Sequence, residues 1–198
     1  MKAILFDMEG VLIEPVDSRW ISFNETLEKF GKRRISKREY MGEYYSLNDR
    51  ANLGKFGLGD DAVKYLRKRY MRNTKKIKVV PGARKVLKSL SKKLKLGLIT
   101  NTPAEFVYKI LEFFDMKKYF DVIITRYDVK KVKPDPEMVI KACKSLGLDQ
   151  SEVVVVGDAK NDVLAGKSAG CTVVGLNVKS DFKIKRLSEL IKFVEQSF

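Results

Sequence analysis

The sequence contains no histidine among its 198 residues and only two cysteines. Without histidine, Ser-His-Asp and Cys-His catalysis, histidine metal sites and imidazole acid/base chemistry are all excluded. Cys143 and Cys171 lie in apolar segments without a zinc-type spacing, and we predict that both are buried free thiols. Any chemistry must therefore come from carboxylates, lysines, hydroxyls and backbone groups.

The sequence also lacks long apolar runs. No run reaches the roughly 18 residues that a membrane span needs. Asp7 and Glu9 interrupt the N-terminal apolar stretch too early for a signal peptide. We therefore expect a cytoplasmic protein with no membrane partner, and either a monomer or a homodimer.

Acidic residues are few relative to basic ones. The chain has 25 Asp and Glu against 40 Lys and Arg, which gives a net charge of +15. Such a charge can attract nucleic acid or anionic substrates, but a solvated, lysine-rich surface also produces it. Because no basic motif interleaved with aromatic residues is present, we expect no nucleic-acid partner.

Five short apolar runs are predicted to be strands covered on both faces, because they are continuous rather than alternating. They span residues 2–6, 95–100, 121–125, 152–157 and 172–176. Helical patterns at 81–93, 103–114, 135–146, 161–169 and 187–198 alternate with them. The alternation predicts an α/β fold with a Rossmann-like parallel five-stranded sheet of order 3-2-1-4-5, flanked by helices.

The segment from 14 to 78 breaks this alternation, because it has no clear buried strand. Its patterns predict helices at 20–30, 37–45 and 60–72, with Gly54, Gly57 and Gly59 in a loop between the last two. We therefore predict an α/β core domain formed by residues 1–13 and 79–198, and a small helical cap domain formed by residues 14–78.

The first candidate site lies at the end of the first strand, in the sequence FDMEGVL. Asp7 and Glu9 are carboxylates two residues apart on a turn opened by Gly10. One can attack as a nucleophile while the other moves a proton. Acidic residues after a strand also serve as caps or turn formers, so this motif alone leaves both interpretations open.

The second candidate site lies in the sequence GDAKND, directly after the apolar run 153–156. Asp158 is predicted at the strand tip, and Asp162 on the first turn of the next helix. Carboxylates that converge at the carboxyl edge of a parallel sheet suit Mg²⁺, which takes oxygen ligands. The alternative is that Asp158 or Asn161 only caps the helix.

Two weaker signals lie between these motifs. Thr100 and Asn101 end a predicted strand and offer a hydroxyl and backbone N–H groups near a helix start, which suits a phosphate group. Lys133 precedes a proline-fixed helix start, where it would be well held for an anionic group. The ordinary alternatives are a helix cap and a surface lysine.

In this order, and each at a strand end, the four motifs resemble those of the haloacid dehalogenase-like (HAD) superfamily of phosphohydrolases. The resemblance covers nearly the whole chain outside the cap. The placement of the insert is similar to the phosphoglycolate phosphatase-like subgroup, which has a helical cap after the first motif. The resemblance implies a Mg²⁺-dependent phosphatase acting on a small phosphomonoester, such as phosphoglycolate or a sugar phosphate.

The resemblance also implies a role for each matching position. Asp7 would attack phosphorus and form an aspartyl-phosphate, with Glu9 as the acid/base and Lys133 stabilising the charge. The phosphoryl oxygens would be bound by Thr100, the N–H of Asn101 and Lys133. Mg²⁺ would be held by Asp7, the backbone carbonyl of Glu9 and Asp158, while Asp162 would support the metal site or orient Lys133. Cap residues that could contact a second anionic group on the substrate are Arg19, Arg33, Arg34, Arg50 and Lys55.

Glu9 departs from the family pattern, which carries aspartate two residues after the nucleophile. Glutamate can do the same acid/base work with its carboxyl group one methylene further out. The enolase-phosphatase branch looks similar here, with Asp-Ile-Glu-Gly. Two alternatives stay open: a phosphotransferase or mutase on the same scaffold, and a non-catalytic basic binding protein in which Glu9 has blunted catalysis.

Overall fold

The structure is a computed structural model that describes residues 1–45 and 48–196. The chain divides into two compact units, one formed by residues 1–14 and 79–198 and the other by residues 15–78. We call them the core unit and the insert unit. No helix within the described ranges is both long enough and apolar enough to cross a membrane.

Eight strands occur in the described residues. In chain order they are β1 (Ala3–Phe6), β2 (Ile13–Glu14), β3 (Lys78–Val79), β4 (Lys95–Ile99), β5 (Val122–Ile124), β6 (Val153–Gly157), β7 (Thr172–Leu176) and β8 (Phe182–Ile184). Six of them form a parallel sheet of order β5-β4-β1-β6-β7-β8, and β2 pairs with β3. The first five strands of this sheet confirm the predicted order 3-2-1-4-5.

The predicted sheet was short by one strand, because β8 adds a sixth strand at its edge, and the two-residue strands β2 and β3 were not predicted. Two of the three residues of β8 are exposed. It therefore lacks the continuous apolar run that identifies a buried strand. By contrast, all five residues of β6 are buried, and its four valines suit a strand covered on both faces.

The helices alternate with the strands of the core unit as predicted. In chain order they are α1 (Val16–Lys29), α2 (Lys37–Glu43), α3 (Asp49–Gly54) and α4 (Asp60–Arg72) in the insert unit, then α5 (Ala83–Leu90), α6 (Ala104–Phe113), α7 (Glu137–Leu146), α8 (Lys160–Ser168) and α9 (Glu189–Glu195). The last predicted helix reached residue 198, and residues 197 and 198 lie outside the described part of the chain. Cys143 and Cys171 are buried and free, as predicted.

The insert unit has its own aromatic core. The ring of Phe23 lies 5.5 Å from that of Tyr40 and 5.6 Å from that of Tyr44, measured between centroids. The prediction that Gly54 lies in a loop was wrong, because residues 49–54 form α3, which ends at Gly54. The side chain of Asn48 accepts a hydrogen bond from the N–H of Ala51 at 2.9 Å, and this cap starts the short helix.

Candidate active site

The candidate residues collect at the carboxyl edge of the six-stranded sheet. β1 lies between β4 and β6, with Phe6 opposite Leu98 on one side and Val156 on the other. The N–H of Asp7 donates to the carbonyl of Val156 at 2.9 Å, so pairing continues one residue past the strand. Because parallel strands end at one edge, Asp7 and the residues after β4 and β6 meet there.

Lys133 joins two of the carboxylates. Its Nζ lies 2.6 Å from Oδ1 of Asp7, 2.6 Å from Oδ1 of Asp162 and 3.0 Å from the carbonyl oxygen of Ile99. The lysine is only 4% exposed. Three hydrogen bonds match the three donors of an ammonium group, so this buried cation is fully paired.

Asp7, Asp158 and Asp162 form a carboxylate cluster. One oxygen from each lies within 4.8 Å of the other two. Gly10 makes this packing possible, because it has a φ of +82° and an added Cβ would stand 1.9 Å from Oδ2 of Asp158. A side chain at position 10 would therefore displace the Asp158 carboxylate.

The electrostatics of the cluster oppose ionisation of Asp7 and Asp158. Burial raises the pKa of Asp7 to about 7, and the charges of Asp162 and Glu9 act in the same direction against the lowering effect of Lys133. Burial, followed by the charge of Asp162, raises the pKa of Asp158 to about 6. Burial disfavours the charge on Lys133, but Asp7 and Asp162 outweigh it and its pKa is raised. An added cation at this cluster would relieve the repulsion.

Asn101 and Asp162 both hold neighbouring groups in place. The Asn101 amide donates to the backbone carbonyl of Lys133 at 3.0 Å and accepts from the Lys133 N–H at 3.1 Å. Asp162 accepts from Lys133 through Oδ1 and from the N–H of Ala159 through Oδ2 at 3.1 Å. Through these contacts, β4 and α8 both determine the position of Lys133.

Glu9 has a partner that the sequence interpretation missed. The hydroxyl of Thr102 donates to Oε1 of Glu9 at 2.9 Å, and Thr102 is buried. The Thr102 N–H in turn donates to Oγ1 of Thr100 at 3.2 Å. The second threonine in the sequence Thr-Asn-Thr was the signal that could have indicated this contact. The hydrogen bond joins residues 93 positions apart, however, so only the folded structure identifies Glu9 as the partner.

The insert-unit cations named from the sequence all have contacts inside that unit. Three of them form ion pairs: Arg33 with Glu39 at 2.6 Å, Arg34 with Glu28 at 2.8 Å, and Arg50 with Asp60. Lys55 donates a hydrogen bond to the backbone carbonyl of Glu43 at 3.1 Å. The guanidinium of Arg19 lies over the ring of Tyr45, 5.7 Å from its centroid.

Comparisons with known proteins identify the family of this chain. The model of the haloacid dehalogenase-like hydrolases matches residues 4–176. A phosphoglycolate phosphatase from Aquifex aeolicus (strain VF5) is 30% identical over 218 residues, covering 98% of this chain and 97% of that protein.

Solved structures extend the similarity to the whole fold. A crystal structure from Thermotoga maritima, provisionally named a β-phosphoglucomutase, is 28% identical with a TM-score of 0.84 and covers 100% of both chains. A HAD-superfamily hydrolase of subfamily IA from Geobacter sulfurreducens has the same TM-score of 0.84 at 23% identity, over 98% of this chain and 96% of that one, and shows the shared fold. Because the family model matches most of the chain and the Aquifex relative is similar over its full length, this chain belongs to the haloacid dehalogenase-like hydrolases.

Proposed function

We propose that this protein is a Mg²⁺-dependent phosphatase that hydrolyses a small phosphomonoester through an aspartyl-phosphate on Asp7. The observation that carries the proposal is the buried Asp7–Lys133–Asp162 arrangement beside Asp158 at the sheet edge. Phosphoryl transfer depends on positioning and on charge neutralisation, and this arrangement provides both.

The carboxylate cluster fits a hard divalent cation. Its donors are oxygens, one from each of three aspartates within 4.8 Å of one another, and Mg²⁺ prefers such ligands. Asp7, Asp158 and the backbone carbonyl of Glu9 are the proposed ligands. Asp162, whose two oxygens already accept hydrogen bonds, would support the metal site while it orients Lys133. When bound, Mg²⁺ neutralises charge on the carboxylates and on the phosphoryl group.

The chain's own residues account for both chemical steps. An oxygen of Asp7 attacks phosphorus, the bond from phosphorus to the substrate alcohol breaks, and Glu9 gives its proton to that alcohol oxygen. Glu9 then takes a proton from a water molecule whose oxygen attacks phosphorus. The bond between phosphorus and Asp7 breaks, its electron pair returns to the Asp7 carboxylate, and inorganic phosphate leaves.

The remaining site residues bind the phosphoryl group. Thr100 offers its hydroxyl and Asn101 its backbone N–H, while the side chain of Asn101 fixes the backbone of Lys133. Lys133 stabilises negative charge on Asp7 and on the phosphoryl oxygens. Each donor would act on charge that grows during transfer, which is where preorganised dipoles contribute most.

The relatives support an assignment of the substrate class. The Aquifex relative is a phosphoglycolate phosphatase, and we assign this chain the same kind of substrate, phosphoglycolate or a sugar phosphate. We assign residues 15–78 the role of a cap domain that supplies contacts to the rest of the substrate.

A second candidate function is a phosphotransferase or mutase on the same site. It is favoured by the full-length similarity, at 28% identity, to the Thermotoga protein provisionally named a β-phosphoglucomutase. It requires the aspartyl-phosphate to pass its phosphoryl group to a sugar hydroxyl instead of water. A product that keeps its phosphate would identify this function.

The decisive experiment measures phosphate release from an aryl phosphate and from a panel of small phosphomonoesters, with Mg²⁺ or with EDTA. We expect Mg²⁺-dependent release that is lost in D7N, while D61N, at an exposed carboxylate of the insert unit, stays as active as the wild type. Release that persists in D7N contradicts the proposal. A wild type inert on every ester, combined with an active E9D, would identify a binding or regulatory relative instead.

A further inference from the structure

The Glu9–Thr102 hydrogen bond has a consequence for catalysis. The Thr102 hydroxyl reaches Oε1 of Glu9 at 2.9 Å, and it comes from the loop after β4, which also carries Thr100. Thr102 is itself held, because its N–H donates to Thr100 at 3.2 Å and its carbonyl accepts from the N–H of Arg126 at 3.5 Å. The backbone that carries the Thr102 hydroxyl is therefore held in place by two hydrogen bonds.

Glutamate needs such a contact more than aspartate would. Its side chain has one more rotatable bond, so more side-chain entropy is lost when its carboxyl group is fixed. Proton transfer requires hydrogen-bond geometry, and a small misplacement costs rate. An aspartate at position 9 would withdraw the carboxyl group by about 1.5 Å, beyond the reach of the same hydroxyl.

We infer that Thr102 is a positioning residue for the acid/base carboxylate, and that Glu9 and Thr102 act as one unit. The inference rests on the proposed function. It explains how this chain uses glutamate at a position where the family pattern has aspartate: the longer side chain is fixed by a hydroxyl from the phosphate-binding loop.

A double-mutant cycle tests the unit. T102V keeps the shape and the backbone hydrogen bonds but loses the hydroxyl. We expect it to lower kcat by about tenfold and to change KM by less than about twofold. T102S restores the hydroxyl and should recover most of kcat. In an E9D background T102V should have no further effect, because the contact is already lost. An equal loss in both backgrounds overturns the inference.

A second readout separates this inference from the proposed function. Crystal structures of the wild type and T102V report the side-chain conformation of Glu9 without any assay. We expect Glu9 to change rotamer or become poorly ordered in T102V, and an unchanged Glu9 overturns its positioning by Thr102. A wild type without phosphatase activity would contradict the proposed function, and the crystal comparison would still decide the contact.

A second, independent observation concerns the positive charge. Residues 62–104 contain 14 of the 40 Lys and Arg and none of the 25 Asp and Glu, so this segment carries +14 of the net +15. The excess is thus concentrated in one acid-free stretch, whereas the rest of the chain is almost neutral.

Part of this stretch presents a run of exposed lysines on the core unit. α5 buries Ala83, Val86, Leu87 and Leu90, which leaves Lys85 and Lys88 exposed on its opposite side. Lys92 and Lys93 are exposed in the following turn. Among the described residues, no salt bridge involves any of these four lysines, which we call the basic face.

The side chains of the basic face indicate which class of macromolecule it can bind. The exposed positions between 81 and 93 carry no aromatic or large apolar side chain that could anchor a protein interface. The phosphate backbone of a nucleic acid needs only cations and polar groups, and its binding releases counterions. The expectation of no nucleic-acid partner rested on the missing motif of basic and aromatic residues, which a contact to the phosphate backbone alone does not need. Against that expectation, we propose that the basic face binds nucleic acid through its phosphate backbone, without sequence specificity.

Fluorescence anisotropy with a duplex DNA of about 20 base pairs tests this, over about 50 to 200 mM salt. The triple variant K85Q/K88Q/K92Q is compared with K109Q/K144Q/K183Q, which removes three exposed lysines elsewhere on the core unit. We expect the first to lose at least about tenfold in affinity and up to about 3 in the salt slope, and the control to lose much less. Equal losses, no binding by the wild type, or stronger binding to anionic vesicles than to DNA would each overturn the proposal.

Discussion

At the residue scale, Lys133 determines whether the site can exist as a buried cluster. It is 4% exposed and hydrogen-bonds to two carboxylates that are themselves buried. Burying a charge is costly unless that charge is paired, so each member of the trio depends on the other two. The site is therefore a structural part of the core unit.

Replacing Lys133 should destabilise the protein as well as abolish turnover. K133M leaves Asp7 and Asp162 buried without their cation, and we expect a loss of about 3–5 kcal/mol in the free energy of unfolding. Urea unfolding in EDTA measures it. K131M, at an exposed neighbour whose ion pair spans 3.8 Å, should change stability by less than about 0.5 kcal/mol. K133M/D162N should recover part of the loss, and a neutral K133M contradicts this account.

Gly10 allows a direct test of close packing in the site. G10A and G147A introduce the same backbone strain, about 1–2 kcal/mol, since φ is +82° at Gly10 and +67° at Gly147. Only G10A places a Cβ against Asp158, because no atom lies within 4 Å of the added Cβ at Gly147. We expect phosphate release to fall by about 100-fold or more in G10A and to persist in G147A. Equal activities would show that the contact is unimportant.

At the element scale, α1 and α4 are joined by a hydrogen-bonded ion pair. Oε2 of Glu25 accepts from Nε of Arg69 at 2.6 Å and from Nδ2 of Asn73 at 2.7 Å. The Arg69 hydrogen bond is the main reason that the pKa of Glu25 is lowered below its ordinary value of 4.5. A lowered pKa in the folded state means that the contact stabilises the fold only while Glu25 is ionised.

This linkage predicts a pH-dependent effect of E25Q. Above the unfolded pKa of 4.5 the pair contributes fully, and the contribution is lost as pH falls through the lowered folded pKa. We expect E25Q to cost about 1–2 kcal/mol at neutral pH and less at about pH 3. Urea unfolding at both values measures the difference. E28Q, at a more exposed pair, serves as the control, and a cost of E25Q that is independent of pH contradicts the argument.

At the scale of the whole molecule, the carboxylate cluster lowers the stability of the fold and in return forms the proposed metal site. Three aspartates converge within 4.8 Å, and burial with mutual repulsion raises the pKa of Asp7 and Asp158. Without a bound cation these like charges oppose folding, and a ligand that binds only the folded state should restore the lost stability.

This argument predicts that D158N raises stability in the absence of metal and reduces the stability gained from Mg²⁺. In EDTA, D158N should be more stable than the wild type by about 1 kcal/mol, because one of the repelling charges is removed and solvent screens part of its effect at this half-buried position. With Mg²⁺ at about 100 times its Kd, the wild type should gain about 2.7 kcal/mol and D158N much less. Thermal unfolding with a Mg²⁺ titration measures both. D61N should respond like the wild type, and a D158N that gains as much from Mg²⁺ would remove Asp158 from the ligand set.

Much of the fold was predictable because each central strand is a continuous apolar run. β1, β4, β6 and β7 needed no knowledge of their neighbours, since strands covered on both faces leave that pattern. β8 and α3 were missed for a physical reason: two of the three residues of β8 are exposed, and α3 is a six-residue helix. In short elements at the surface, a capping residue such as Asn48 or the neighbouring strand decides the structure, and neither gives a periodic pattern.

The sequence by itself determined which groups are available: with no histidine, carboxylates and lysine at strand ends had to carry any chemistry. It also determined the order of strands, because hydrophobic runs and right-handed crossovers are encoded locally. Only the tertiary structure decided how those groups pair. Lys133 lies between Asp7 and Asp162, and Thr102 holds Glu9, across 126, 29 and 93 positions of sequence. Such contacts form only once the sheet brings its strand ends together, so no local pattern records them.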